Sequence, residues 1–293
     1  MADAYRPKMS DEGLAPTHDV VAVDEFGEQR DMQVAGEFPL TIKVDDREIV
    51  TLMTLGCHPE ALTLGYLRNQ RMLDQLEDVE SIEVDWDREQ VNVRTTHGNG
   101  ITDLEERLKK KTVTTGCGQG TVFSCTLNDL YDLKVPEINL RQSTIYDLLT
   151  NISQYNEIYR RAGAVHGCAL CSDDQILSFI EDVGRHNAAD AISGHMWLDR
   201  VSGGDKVFYT TGRLTSEIVM KVALMGIPAL LSRSGVTHMG LELAQDLGLV
   251  MIARAKGKHF LIYTGAERVS FDRMPPPKPR PARERVVPPA AQH

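Results

Sequence analysis

The sequence has 293 residues, a length that allows about two domains. Hydrophobic residues make up 42% of the chain and charged residues 25%, a composition typical of soluble globular proteins. The formal net charge of -10 argues against binding of nucleic acid or of an anionic membrane by the molecule as a whole, so an anionic ligand would need a local basic cluster.

Targeting signals and cysteine usage indicate the compartment. The N-terminus lacks the apolar core of a secretory signal, and no apolar run reaches membrane-spanning length. The five cysteines are an odd number without secretory context, so we expect free thiols in a reducing compartment. We therefore expect a cytoplasmic protein that does not associate with membranes.

Both ends of the chain are predicted to be disordered. Residues 1–32 are polar and show no periodicity, and residues 274–293 are rich in proline and arginine. Neither stretch has the apolar residues that would bury a core. Solvated tails are the simpler interpretation of both, and the basic C-terminal tail is also compatible with docking of a partner.

Residues 33–140 are predicted to form a smaller, β-rich domain. Apolar and polar residues alternate on both sides of Asp45-Asp46, as in a β-hairpin. A helix is predicted to begin at Pro59, since proline favours the first helical turn, and a second hairpin is predicted over residues 79–95. No internal repeat is visible in the sequence.

Residues 141–273 are predicted to form an α/β domain. Residues 143–161 have an apolar face at helical spacing, and two strands follow around the turn at residues 172–174. Helices and short strands then alternate as far as a final pair of strands around residues 256–258. Such alternation predicts a mixed, largely parallel sheet with helices on both faces.

Arginines follow four of the predicted strands, close to the point where each strand ends: Arg185, Arg213, Arg233 and Arg254. The first three loops also lead directly into a helix, whose N-terminus carries positive partial charge. Ligands of open α/β sheets bind beyond the carboxyl ends of the strands, so we expect the four arginines to share one edge. Together they predict binding of a multiply charged anion such as a nucleotide or a pyrophosphate.

Each of these residues also has a simpler interpretation. Thr215, Ser216 and Thr237 suit helix caps, and a single arginine is more often a surface charge than a ligand. No Walker A or GxGxxG pattern is present, so this is not a standard nucleotide-binding loop. The prediction therefore rests on the four loops together, because their common edge follows from the topology.

A partial zinc-binding pattern occurs in HGCALC, where Cys168 and Cys171 have C-x2-C spacing. On a strand, however, His166 and Cys168 share a face and Cys171 points to the other. The segment is apolar enough to be a core strand, so we favour buried structural thiols over a metal site. Cys57 and Cys125 have no ligand partners nearby in the sequence and are predicted to be packing residues.

Cys117 differs from the other cysteines, because it lies among glycines in TTGCGQGT within a predicted loop over residues 113–126. Three lysines at residues 109–111 precede it, and positive charge favours the reactive thiolate. Glycines permit backbone conformations that let a loop reach and swing. The pattern is compatible with an ordinary linker cysteine or with a mobile nucleophile that is loaded at one site and unloaded at another.

From Glu37 to Thr264 the sequence resembles the FdhD family, the formate dehydrogenase accessory sulfurtransferases. The resemblance is nearly collinear and includes the segments TTGCGQG, FIEDVGRHNAADAISG and TGRLTSEIVMKVALMGIPALL. EDVGRHNA followed by the TGR…SEI helix is highly specific. The resemblance implies that the α/β domain has a fold similar to that of cytidine deaminase.

The resemblance also implies a function. Members of the family take persulfide sulfur from a cysteine desulfurase and pass it to the molybdenum cofactor of formate dehydrogenase, in its bis(molybdopterin guanine dinucleotide) form. The match assigns the persulfide carrier to Cys117 and suggests a homodimer. We expect no metal of the protein's own. The cofactor-contacting loop of the family matches Arg254, Ala255, Lys256, Gly257, Lys258 and His259.

The sequence departs from the family pattern at three positions. Gly120 stands where many relatives have a second loop cysteine, which argues against a mechanism that needs two loop thiols and leaves a one-thiol relay intact. Cys168 stands where small residues are usual, so we expect no functional role for it. His259 stands where arginine is common, which weakens pairing with anions at neutral pH.

Two alternatives from other classes stay open. A zinc-dependent deaminase is suggested by the implied fold and by the HGCALC segment, although the H-x-E and P-C-x-x-C set is missing. A chaperone that only binds and protects the cofactor would not need the thiol of Cys117. His186 is compatible with assistance to proton movement and equally with a structural hydrogen bond.

Overall fold

The computed structural model describes residues 5–98, 101, 112–113, 120–121, 133 and 135–275. These residues form a smaller and a larger sheet. The smaller sheet contains, in spatial order, β1 (Lys8–Met9), β6 (Val79–Asp85), β7 (Gln90–Thr95), β4 (Phe38–Val44) and β5 (Arg47–Thr54). The larger sheet contains, in spatial order, β12 (Gln175–Asp182), β11 (His166–Ser172), β13 (Val207–Thr210), β14 (Ala229–Ser232), β15 (Val250–Lys256) and β16 (His259–Thr264).

The smaller sheet confirms both predicted hairpins and the predicted helix. β4 pairs with β5 around Asp45-Asp46, where both residues have positive φ, and β6 pairs with β7. The alternating pattern arises because every second residue of β4 from Leu40 onwards is buried in the core. Helix α1 (Pro59–Asn69) begins at the predicted proline.

The larger sheet is mixed, as predicted, but it is not largely parallel, because three of its five neighbouring strand pairs are antiparallel and two are parallel. β13, β14 and β15 are parallel to one another, whereas β11 and β16 are antiparallel to their neighbours. Because β12 is also antiparallel to β11, it runs in the same direction as β13. Four of the strands therefore end at the same edge of the sheet.

Helices cover both faces of the larger sheet. Leu148 clusters with Tyr209 on one face, whereas Ile192 clusters with Phe208 on the other, as expected for adjacent residues of a strand. The region predicted as helical over residues 143–161 is interrupted by a turn, so it forms two helices. The helices are α2 (Gln142–Ile152) and α3 (Glu157–Ala162) on the first face, and α4 (Arg185–Leu198), α5 (Ser216–Leu224) and α6 (His238–Asp246) on the second.

The prediction that residues 1–32 form a disordered tail is wrong for much of this segment. β1 adds to the edge of the smaller sheet, and β2 (Thr17–Val23) pairs with β3 (Gln29–Ala35) in a separate hairpin. The hairpin turn is stabilised by Asp24, whose Oδ1 accepts hydrogen bonds from the Phe26 and Glu28 N–H groups at 3.0 Å. Composition did not reveal these strands, because backbone pairing and one side-chain cap define them rather than a buried face. Of the predicted C-terminal tail, residues 276–293 lie outside the described residues.

The two predicted domains share one hydrophobic core. One cluster of buried side chains contains Leu40 and Ile82 of the smaller sheet together with Phe208 and Leu230 of the larger sheet. Strand pairing also involves the predicted boundary at residue 140, because β10 (Leu140–Arg141), which lies across that boundary, pairs with β17 (Val269–Ser270). The prediction of a smaller β-rich part before an α/β part describes the order of the elements, while the core is continuous between them.

Within the described ranges, none of the helices combines the length and the apolar character needed to cross a bilayer.

Candidate functional site at the carboxyl edge of the larger sheet

The carboxyl ends of β12, β13, β14 and β15 lie on one edge of the larger sheet, because the four strands run in the same direction. The four predicted arginines are at or next to these strand ends, so the structure brings them to this edge. In an open α/β sheet, this is the edge at which ligands bind. We call it the arginine edge, defined by Arg185, Arg213, Arg233 and Arg254.

Arg185 is the first residue of α4, and its side chain is buried. The aliphatic part of the side chain lies against the backbone of Gly212, in the loop after β13. A Cβ atom added to Gly212 would lie 2.5 Å from the Cδ of Arg185. Glycine at position 212 is therefore what allows Arg185 to occupy this place, next to the loop that carries Arg213.

The segment predicted to contact the cofactor, residues 254–259, forms the end of the β15–β16 hairpin. Arg254 has a φ of 52°, a left-handed conformation that is strained for a residue with a side chain. Its N–H donates to the Ser234 carbonyl at 2.8 Å, which ties the hairpin to the loop after β14. Ala255 is the buried residue of this segment, and its side chain packs into the hydrophobic core. The exposed members are Arg254, Lys256, Gly257, Lys258 and His259.

Three helices begin at the arginine edge, and their N-terminal N–H groups add positive partial charge to it. The Thr237 hydroxyl accepts a hydrogen bond from the Gly240 N–H at 3.2 Å, which confirms the simpler interpretation of this residue as a cap of α6. Thr215 precedes α5, yet its buried hydroxyl has no hydrogen-bond partner among the described residues. The edge therefore combines basic side chains with helix N-termini.

A buried cluster of charged side chains lies behind the arginine edge, between α4 and α5. The Lys221 ammonium lies 2.6 Å from the Asp190 carboxylate, and the Nε2 of His186 lies 3.4 Å from the Oε2 of Glu217. Burial, followed by the charges of Lys221 and Arg185, lowers the pKa of His186 to about 2. The imidazole is therefore neutral at pH 7.

His166 reaches the same edge from β11, because this strand runs against its neighbours and begins where they end. Its Nδ1 lies 3.4 Å from the Thr211 hydroxyl. Burial lowers the pKa of His166, and the charges of Arg185 and Arg213 lower it further. The sequence suggested His166 only as a metal ligand, whereas the structure groups it with two of the predicted arginines.

A cleft of about 330 Å³ opens beside the arginine edge. Its volume lies in the range of sites that bind small molecules, and most of the residues that line it are polar. The side chains that line it come from α3, from the beginning of β11 and from the loops after β13 and β14. The polar ones are Asn156, Tyr159, His166, Thr211, Arg233 and Ser234.

Cys117, the predicted persulfide carrier, lies outside the described residues, as does Cys125. The described residues nearest to Cys117 are β8 (Thr112–Val113) and β9 (Gly120–Thr121), which pair with each other antiparallel. Most of the predicted loop over residues 113–126 also lies outside the described part of the chain. The role of Cys117 stays a prediction.

The structure describes three other thiols, and it confirms that Cys168 and Cys171 are buried core residues. They lie on β11 and belong to the clusters on opposite faces of the sheet. Burial raises the pKa of both thiols to about 12. Cys57 is half-buried, and burial, with the charges of Asp182 and Glu181, raises the pKa of its thiol to about 11. Within the described ranges, no group of three His, Cys, Asp or Glu residues is arranged to hold a metal ion.

Two buried acids at the arginine edge were not recognised from the sequence, although both lie in the FIEDVGRHNAADAISG segment. Glu181 and Asp182 are the last residues of β12. The available signal was their place, since charged residues at the end of an apolar strand and directly before a glycine and a helix are seldom free surface charges.

The comparisons with known proteins agree with this architecture. The FdhD/NarQ family matches residues 35–270, which is most of the chain, and the chain belongs to this family. A sulfur carrier protein FdhD from Listeria monocytogenes is 30% identical over 241 residues, which cover 81% of this chain and 91% of the relative. A sulfur carrier protein FdhD from Bacillus licheniformis is 28% identical over 248 residues, 83% of this chain and 92% of the relative.

A solved structure is similar as well. The crystal structure of a protein from Desulfotalea psychrophila, described as a formate dehydrogenase accessory protein, matches with a TM-score of 0.68 and 26% sequence identity. The match covers 87% of this chain and 98% of that chain. The mixed α/β fold is thus shared with this protein, and the likeness to cytidine deaminase stays a prediction.

Proposed function

We propose that the chain is a sulfurtransferase that carries persulfide sulfur from a cysteine desulfurase to the molybdenum cofactor required by formate dehydrogenase. Two observations support this proposal: relatives over most of the chain are named sulfur carrier proteins, and a similar solved structure is a formate dehydrogenase accessory protein. The molybdenum cofactor is the substrate of the protein, in its bis(molybdopterin guanine dinucleotide) form. The proposed partners are therefore the desulfurase, formate dehydrogenase and a second copy of the chain.

The arginine edge is the observation that carries the cofactor part of the proposal. In a protein with a net charge of -10, basic side chains from four strand ends meet at one edge, together with three helix N-termini. A guanine dinucleotide cofactor carries pyrophosphates, whose oxygens match the planar donors of arginine. The neutral imidazole of His166 adds a hydrogen-bonding group at this edge without adding charge.

The proposed nucleophile is Cys117, as the family resemblance implies, and the three described thiols are compatible with this assignment. Cys57, Cys168 and Cys171 all have raised pKa values, so little of the reactive thiolate is present at pH 7. Cys117, in contrast, follows three lysines and lies among glycines. In the first step its thiolate attacks the terminal sulfur of the desulfurase persulfide, and the desulfurase thiolate leaves. In the second step the S–S bond of the Cys117 persulfide breaks, the Cys117 thiolate leaves, and the terminal sulfur passes to reduced molybdenum of the substrate cofactor, which supplies the two electrons that convert this sulfur to sulfide.

Mass spectrometry tests the first step. After incubation with a cysteine desulfurase and cysteine, the wild-type chain should gain one sulfur atom at Cys117. Cys117→Ala should gain none there, whereas Cys125→Ala, a matched control in the same region of the sequence, should gain sulfur like the wild type. Equal gain in Cys117→Ala and in the wild type would show that another group accepts the sulfur.

A further inference from the structure

Two consecutive carboxylates, Glu181 and Asp182, end β12 at the arginine edge. Both are buried, and successive residues of a strand point to opposite faces of the sheet. Negative charges without a partner would weaken the binding of an anion nearby, and a buried carboxylate needs hydrogen-bond donors. The donors that each carboxylate engages therefore indicate its role.

Glu181 acts on the face of the sheet that carries α3. Its Oε2 accepts a hydrogen bond from the Ile158 N–H, and its Oε1 accepts one from the Tyr159 N–H, both at 2.9 Å. Asn156, the residue before α3, makes no side-chain cap, so Glu181 caps this helix from the neighbouring strand. The two bonds hold Tyr159 where it lines the cleft with His166.

Asp182 acts on the opposite face, where it joins β5 to the beginning of α4. Its Oδ2 accepts hydrogen bonds from the Thr54 hydroxyl at 2.6 Å and from the Leu55 N–H at 3.0 Å. Its Oδ1 accepts hydrogen bonds from the Gly184 N–H and from the Asn187 side-chain amide, both at 2.9 Å. The residue after Gly184 is the first arginine of the edge, so Asp182 fixes its backbone position.

We propose that Glu181 and Asp182 are positioning residues for two parts of the site, the cleft and the arginine edge. Glu181 holds α3 and Tyr159, which lines the cleft, and Asp182 holds the start of α4, where Arg185 belongs to the arginine edge. The inference rests on the proposed function, in which the ligand is a guanine dinucleotide cofactor. In this proposal neither carboxylate contacts the ligand, because the oxygens of both carboxylates accept hydrogen bonds from donors of the protein.

Amide hydrogen exchange tests the role of Glu181 without any ligand. Glu181→Gln replaces one of the two accepting oxygens with an NH2 group, which repels the N–H it faces. Exchange at Ile158 or Tyr159 should therefore become about tenfold faster. Asp174→Asn removes an exposed acid from the turn before β12 and serves as the matched control, with unchanged exchange at both amides. Unchanged exchange in Glu181→Gln would overturn the proposal for this residue.

The corresponding test for Asp182 uses two variants, because removal of a buried carboxylate can prevent folding. Thr54→Val removes a single donor and leaves the charge of Asp182 in place, and Asp182→Asn changes the acceptor itself. In folded Asp182→Asn, exchange at Leu55 or Gly184 should become about tenfold faster, since both N–H groups donate to this carboxylate. In Thr54→Val, exchange at Leu55 should become faster, because one of the two hydrogen bonds between Oδ2 and the end of β5 is lost. Wild-type exchange at both amides in Thr54→Val and in Asp182→Asn would overturn the proposal for Asp182.

Calorimetric titration with guanosine diphosphate then tests whether the hydrogen bonds from α3 to Glu181 increase the affinity of the site for this ligand. Glu181→Gln should weaken binding by about tenfold. The loss should vanish in a Tyr159→Ala background, because Glu181 acts through Tyr159, and it should persist in an Arg213→Gln background. Equal losses in all three backgrounds would show a general structural effect and overturn the proposal.

The results separate this inference from the proposed function. Failure of the wild-type chain to bind guanosine diphosphate would count against a guanine dinucleotide cofactor as the ligand. The exchange data would still show whether Glu181 holds Tyr159 and whether Asp182 holds the start of α4. Normal binding of guanosine diphosphate by both the wild type and Glu181→Gln would overturn the positioning role of Glu181 and leave the proposed function intact.

Discussion

At Gly212 the backbone leaves room for the side chain of Arg185, because there is no Cβ atom on the glycine. Three atoms of the Arg185 side chain lie close to the position of that Cβ: Cδ at 2.5 Å, Cβ at 3.1 Å and Cγ at 3.4 Å. Because this side chain is buried, an added methyl group would displace it together with its guanidinium.

Gly212→Ala tests this contact. We expect a loss of stability of about 1–3 kcal/mol, because the buried Arg185 side chain must move, and an affinity for guanosine diphosphate that is about tenfold lower, because its guanidinium is displaced. Gly235→Ala is the matched control, since it lies in the next loop of the same edge and has no neighbouring atom within 4 Å of the added Cβ. Calorimetry and thermal unfolding measure the two effects, and equal affinities of Gly212→Ala and Gly235→Ala would contradict the expectation.

His186 makes stability depend on pH. Its pKa is lowered to about 2 in the folded chain from an ordinary value of 6.5. Between these values the unfolded chain binds a proton that the folded chain does not, so stability is complete above pH 6.5 and falls as the pH is lowered. The fall amounts to at most about 1.4 kcal/mol for each pH unit.

His186→Gln removes this dependence. The loss of unfolding free energy between pH 7 and pH 5, measured with urea, should be about 2 kcal/mol smaller in this variant than in the wild type. The control His238→Gln replaces an exposed histidine and should retain the wild-type pH dependence. A wild-type pH dependence in His186→Gln would show that other groups are responsible.

At the scale of elements, the contact of α1 with α4 joins the two sheets. A Cβ added to Gly65 would lie 1.7 Å from the Asp190 carbonyl oxygen, and one added to Gly194 would lie 1.9 Å from the Ala61 carbonyl oxygen. The helix backbones therefore touch at glycines, and no side chain could separate them without moving a whole element.

Gly65→Ala should destabilise the fold by about 3 kcal/mol, although alanine is the better helix former, because the added methyl group meets backbone atoms. Gly204→Ala is the matched control, with its nearest neighbour, Pro136, at an ordinary 3.5 Å from the added Cβ. Urea denaturation of the two variants measures the difference. Equal stability would mean that the two helices are not held in close contact.

The sequence predicted the elements better than their contacts. Hairpins were found because alternation and turn residues are local signals, and the helix predicted to begin at Pro59 does begin there. The close contact at Gly65 and Gly194 was not predicted, since glycines inside a helical pattern carry no information about the partner helix. The hairpin of β2 and β3 was missed for a related reason, because its residues are mostly exposed and show no buried face.

At the scale of the whole molecule, the common edge of the four arginines was predictable, because it depends on strand direction and not on side-chain detail. The roles of Glu181 and Asp182 were not predictable, since Asp182 and its partner Thr54 are 128 residues apart in the sequence. Thr54 comes close enough to donate a hydrogen bond to the Asp182 carboxylate only in the folded chain.

The central claim is that sulfur reaches the cofactor through Cys117, and complementation tests it most directly. A strain that lacks this protein is supplied with the wild-type chain, Cys117→Ala or the control Cys125→Ala, and its formate oxidation is measured. The relay predicts no activity with Cys117→Ala at normal protein levels, and full activity with Cys125→Ala. Full activity with Cys117→Ala would contradict the relay and favour a chaperone that binds and protects the cofactor.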